Sequence, residues 1–93
     1  MNCPDEIASI LLEILGVGLL RIRALGWDQN PDRCALEADH LHNIPSIIKS
    51  YSSGALQAYW ASARAMLLDH GRKDLADFER LWARLVPHLP PSL

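Results

Sequence analysis

Apolar side chains recur every three or four residues along most of this chain, which is the spacing of helices with one buried face. Four such segments predict helices over residues 4–25, 31–43, 54–70 and 74–86. Pro45 should end the second helix, because the residue before a proline avoids the helical conformation, and the residues that follow it would then form one short turn. Short connections imply antiparallel neighbours. We therefore expect an all-α fold, a four-helix antiparallel bundle with a short extra helical turn between helices 2 and 3.

The connections carry residues that are typical of helix ends. Gly26 follows the first apolar segment, where a glycine in a left-handed conformation commonly ends a helix. Asn30 precedes Pro31, which predicts an N-terminal cap followed by a proline at the first helical position. Three prolines stand in the last seven residues. We expect one helical domain over residues 1–86 and a Pro-rich C-terminal tail over residues 87–93.

Helix 1 is apolar on nearly every side. One stripe at helical spacing is expected to face the core, whereas Leu12, Leu19 and Leu20 lie opposite it. An exposed apolar surface usually marks an interface, and the two-fold dimer is the commonest closed assembly. The sequence therefore predicts a homodimer that forms through helix 1.

Composition and charge restrict the classes of partner. The 93 residues are 49% hydrophobic and 22% charged, with a net charge of −2, which suits a single globular domain. The nine Lys and Arg residues form no cluster, so binding to nucleic acid is not expected.

The apolar residues 7–20 include Glu13 and follow acidic residues, which is unlike a signal peptide or a membrane span. The chain has two cysteines, which is too few for a fold that is held together by several disulfides. We expect a cytoplasmic protein that does not associate with a membrane.

Glu37 is the anomalous residue of the second helix, because it lies on the apolar stripe. An unpaired buried carboxylate would be costly. Arg21 falls on the inward stripe of helix 1 at nearly the same level of an antiparallel hairpin, and Gly18, one turn away, would let the two helices approach. We predict a buried Arg21–Glu37 ion pair. Two interpretations stay open: the pair fixes the register of the two helices, or it lines a polar ligand pocket together with His40.

The spacing of the residues favours neither a metal-binding site nor a catalytic nucleophile. Glu37-x-x-His40 matches the spacing of di-iron carboxylate bundles, but only one copy is present. In a dimer Glu13 would have to supply the other ligand. The levels of Glu13 and Glu37 in the hairpin differ by about 9 Å along the helix axis, which is too far for one site. His40 and His42 are two residues apart and cannot share a helix face. No arrangement of Ser, Cys and His suggests a nucleophile, so we expect no catalytic residues, no metal and no cofactor.

Arg64 and His70 have an Arg-x5-His spacing. It resembles the Arg-x4–6-His motif of the HEPN ribonuclease superfamily, whose members are helical bundles that dimerise. The resemblance would imply that Arg64 and His70 bind and cleave RNA at a dimer cleft. The residue after the arginine, often polar in that family, is Ala65 here.

Three hypotheses about function follow from these patterns. The first is a small non-enzymatic protein–protein interaction module that self-associates through helix 1. The second is an immunity or antitoxin-type protein that masks a partner protein. The third is the HEPN-like ribonuclease that would use Arg64 and His70.

Overall fold

The computed structural model describes residues 3–70 and 72–89, with side chains described for residues 3–69 and 73–89. Over these residues the chain forms four α-helices, α1 (Asp5–Leu25), α2 (Pro31–Lys49), α3 (Ser53–His70) and α4 (Arg72–Leu85), and a 3-10 turn at Val86–His88. Helix α1 packs against α2 and α4, and α3 packs against the same two helices. The predicted all-α four-helix bundle is confirmed.

The second helix is longer than predicted. It continues through Pro45 to Lys49, so the residues expected to form a separate turn belong to α2. A proline inside a helix costs about 3 kcal/mol, because it lacks the N–H group and crowds the preceding turn. Ile44 and Ile47, on either side of the proline, are buried. Burial of one such side chain stabilises the fold by about 1.5–3 kcal/mol, so the two together contribute about 3–6 kcal/mol, which offsets the local cost.

The connection between α1 and α2 is a tight turn after Gly26. Gly26 adopts a φ of +79°, as predicted for the glycine that ends α1. As predicted, Asn30 is the N-cap residue of α2 and Pro31 follows it, but the Asn30 side chain makes no capping hydrogen bond to α2. Its Nδ2 instead donates to the carbonyl of Leu25 at 2.6 Å. The last carbonyls of a helix lack donors within the helix, and the short turn returns Asn30 to the end of α1.

The core lies along the axis of the bundle and receives side chains from all four helices. Its fully enclosed apolar side chains include Ile7, Leu11, Ile44, Leu56, Leu67 and Leu85. An aromatic group at the α3–α4 contact places the rings of Phe78 and Trp82 5.9 Å apart.

Gly18 leaves space on α1 that a side chain of α2 fills. A Cβ at this position would lie 2.5 Å from Cδ2 of Leu41, so a larger residue would force that leucine to shift. The atoms nearest to Gly18 belong to the Leu41 side chain, so the predicted approach of the two helix backbones stays a prediction.

The fourth helix ends at Leu85, one residue before the predicted end. Of the predicted Pro-rich tail, Pro87 and His88 belong to the 3-10 turn and Leu89 packs against the core. Residues 90–93 lie outside the described residues. None of the helices, as far as they are described, is long and apolar enough to cross a bilayer.

Candidate functional site

Arg21 and Glu37 form the predicted ion pair between α1 and α2. The guanidinium donates from Nε to Oε1 of Glu37 at 2.8 Å, and its second nitrogen lies 2.7 Å from the same oxygen. The Glu37 side chain is fully buried and that of Arg21 is 9% exposed. The helical stripes and the antiparallel register place both side chains at one level of the bundle, which is why the sequence could predict their contact.

The other two helices also surround this pair. Nη1 of Arg21 lies 4.0 Å from Oδ1 of Asp74, at the start of α4. On α3, burial raises the pKa of the Tyr59 hydroxyl, the negative charge of Glu37 raises it further, and Arg21 acts in the opposite direction. The pair therefore joins α1 to α2 and lies close to α3 and α4, which fits its interpretation as a register-fixing contact.

His40 lies apart from the Arg21–Glu37 pair. Its Nδ1 is 2.8 Å from the carbonyl oxygen of Leu36, one turn earlier in α2. Its Nε2 is 2.9 Å from Oγ of Ser62 on α3. Of the three side chains considered for a polar pocket, the structure brings together Arg21 and Glu37 and directs His40 to a different contact.

A groove between α2 and α3 opens beside His40, with a volume of about 330 Å³. It is lined by His40, Asn43, Ser46, Ile47, Ala55, Ala58, Tyr59 and Ser62. Sequence reasoning missed Ser62, which lies 22 residues from His40. The contact depends on how α3 is rotated about its own axis, and both side chains lie on flanks rather than on the apolar stripes.

The three leucines assigned to an interface are exposed: Leu12 by 54%, Leu19 by 56% and Leu20 by 65%. Leu19 lines an apolar groove of about 270 Å³ between α1 and α2. Leu12, two turns earlier, lies on the same side of α1. Leu20 is rotated by about 100° from Leu19 and lines a different groove, beside the start of α4. The exposed leucines thus occupy two flanks of α1.

Within the part of the chain that the structure describes, the carboxylates do not gather into a metal-binding cluster. Glu13 lies 3.0 Å from a guanidinium nitrogen of Arg84 on α4 rather than near Glu37. Among the described residues, no three His, Cys, Asp or Glu side chains lie close enough together to hold a metal ion.

Arg64, one of the two residues of the ribonuclease-like spacing, is engaged on the surface. Its Nε donates to Oε1 of Glu79 at 3.1 Å, and its guanidinium carbon lies 6.0 Å from the centre of the Trp60 ring. The side chain of His70 lies outside the described side chains. Arg64 therefore takes part in an α3–α4 contact.

Comparison with protein-family models, with curated proteins and with solved structures finds no match to this chain. Its function is therefore inferred from its own surfaces and side-chain contacts.

Proposed function

We propose that this chain is a protein–protein interaction module that pairs with a second copy of itself through α1. The observation that carries the proposal is the exposure of Leu12 and Leu19, which stand two turns apart on one side of α1, where Leu19 also lines an apolar groove. Large apolar side chains in such an arrangement commonly mark an interface.

The surface is suited to a copy of itself because it offers both a ridge and a groove. Leu12 and Leu19 form the ridge, while the groove beside it is lined by Leu15, Leu19, Ile22, Ala38, Leu41, His42 and Pro45. Only His42 among these can carry a charge, so close contact buries little charge. In a two-fold dimer the same patch meets itself, and the ridge of each copy can then cover the groove of the other.

The area available limits the expected affinity. Full burial of a leucine is worth about 1.5–3 kcal/mol, so each half-exposed leucine contributes about 0.8–1.5 kcal/mol. Four of them in a dimer contribute about 3–6 kcal/mol, which corresponds to a Kd from several mM to some tens of µM. Contact with the groove adds to this sum and the loss of translational freedom subtracts from it. We expect a weak, reversible dimer.

Sedimentation equilibrium over a concentration series reaching about 1 mM tests the proposal, because even a Kd of several mM gives a measurable fraction of dimer at that concentration. The wild-type chain should move from monomer to dimer. Leu12→Glu and Leu19→Glu should keep it monomeric, because each would place a charge in the apolar contact. Leu20→Glu should leave the dimer intact, because this residue faces the start of α4.

Leu68→Glu is the matched control, because Leu68 on α3 is as exposed as Leu12, by 54%. If it weakened the dimer as much as Leu19→Glu, association would be non-specific. A wild-type chain that stayed monomeric over the whole series would contradict the proposal.

A cytoplasmic location belongs to the same proposal. Cys3 and Cys34 are both free thiols, and Cys34 is fully buried with its sulfur 3.8 Å from the carbonyl oxygen of Ile22. Free thiols persist most readily in a reducing compartment. Fractionation of cells that express the chain checks this part.

A further inference from the structure

Ser62 and His40 form a hydrogen-bonded pair at the edge of the α2–α3 groove. The distance from Oγ of Ser62 to Nε2 of His40 is 2.9 Å, within the range expected of a nucleophile and its general base. Ser62 is exposed and His40 is half-buried. The hydroxyl is therefore accessible, and the imidazole is held by contacts on both of its nitrogens.

The contact with Leu36 decides which nitrogen of the neutral ring carries the proton. A carbonyl oxygen only accepts hydrogen bonds, so the 2.8 Å contact requires a proton on Nδ1 of His40. Nε2 then carries the lone pair and accepts the hydroxyl proton of Ser62. The carbonyl of Leu36 thus orients the base, as the third group of a catalytic triad does.

We propose that Ser62 and His40 form an acyl-transfer site for small esters, with Ser62 as the nucleophile and His40 as the general base. This site is independent of the proposed dimer, which uses the other flank of α2.

The reaction balances with water as the only co-reactant. Oγ of Ser62 attacks the carbonyl carbon of the ester while Nε2 of His40 takes the hydroxyl proton. The bond from the carbonyl carbon to the leaving oxygen then breaks, and His40 returns the proton to the departing alcohol. A water molecule attacks the acyl-serine, its proton passes through His40 to Oγ, and the carboxylic acid leaves.

The groove restricts the substrate to small molecules with a short acyl group. Its volume of about 330 Å³ is at the lower end of the range for small-molecule sites. Ile47, Ala55 and Ala58 supply an apolar wall. Asn43 and Ser46 line the same groove and carry side-chain donors suited to the carbonyl oxygen of an ester.

Incubation with p-nitrophenyl acetate tests the site. The release of nitrophenolate should show a burst as the acyl-enzyme accumulates, and mass spectrometry should place one acetyl group on Ser62. Ser62→Ala should abolish both signals. His40→Gln should lower the acylation rate by about 10²-fold or more, as expected for loss of a general base.

Ser9→Ala and His88→Gln are the matched controls, because both residues line a different groove, between α1 and the end of α4. Neither should change the acetylation rate, and circular dichroism should show that all four variants are folded. The proposal would be overturned by acetylation that persists in Ser62→Ala, including direct acetylation of His40, or by a folded wild-type chain without acetylated Ser62.

Discussion

Replacing Arg21 with Met is the most informative perturbation of the bundle. Methionine preserves much of the apolar stem and removes the guanidinium. The carboxylate of Glu37 would then lose the two contacts that Arg21 makes with it, at 2.7 and 2.8 Å, in a fully buried position. Breaking a buried ion pair on one side costs about 3–5 kcal/mol. Because domains of this size are stable by about 5–15 kcal/mol, the variant should lose a large part of its stability.

The chain contains a matched control for this change. Arg64 and Glu79 also form an inter-helix pair, at 3.1 Å, but their side chains are 40% and 47% exposed. Because water screens exposed pairs, Arg64→Met should cost only about 0–1 kcal/mol. The double variant Arg21→Met, Glu37→Met removes both buried charges, so it should recover most of the stability that the single variant loses.

Urea denaturation followed by circular dichroism measures these differences. The midpoint should fall strongly for Arg21→Met, with little change in the slope that reports exposed surface. A loss below about 0.5 kcal/mol, comparable with that of Arg64→Met, would refute the reasoning, because a pair buried in this way cannot be removed at so small a cost.

Three further predictions concern packing and titration. Gly16→Ala should raise the stability by about 0.5–1 kcal/mol, because nothing lies within 4 Å of the added Cβ. Gly18→Ala should lower it by about 1–3 kcal/mol, because the added Cβ crowds Leu41. Denaturation midpoints that rise equally in both variants would contradict this prediction. Tyr51→Phe should stabilise the fold by about 1 kcal/mol in thermal melts, because the Tyr51 hydroxyl is buried without a hydrogen-bond partner among the described residues; a loss of stability would show that the hydroxyl is satisfied. The raised pKa of Tyr59 means that the folded state keeps its proton above about pH 10, where the unfolded state loses it, so stability should fall by up to about 1.4 kcal/mol per pH unit there. Denaturation at a series of alkaline pH values should show a shallower fall for Tyr59→Phe, and an identical fall would refute this assignment.

The features that the sequence predicted correctly depend on local periodicity. The end of α1 at Gly26 follows from the tolerance of glycine for positive φ. The Arg21–Glu37 contact follows from two helical stripes and the level at which an antiparallel hairpin places them. Both features depend only on helix geometry and a short connection, so they can be predicted without knowing how α3 and α4 pack.

The features that the sequence could not predict depend on the whole bundle. The local preference that should end α2 before Pro45 was outweighed by the burial of Ile44 and Ile47. The contact between His40 and Ser62 requires the rotation of α3 against α2, which no spacing within one helix specifies. The groove at this contact was therefore found only in the structure.

The buried pair also constrains how this chain can diverge. A lineage that replaced Arg21 first would pass through an intermediate destabilised by about 3–5 kcal/mol, as would one that replaced Glu37 first. An intermediate with so little stability remaining is poorly tolerated. Positions 21 and 37 should therefore change together or not at all, whereas the exposed pair of Arg64 and Glu79 can be exchanged one residue at a time.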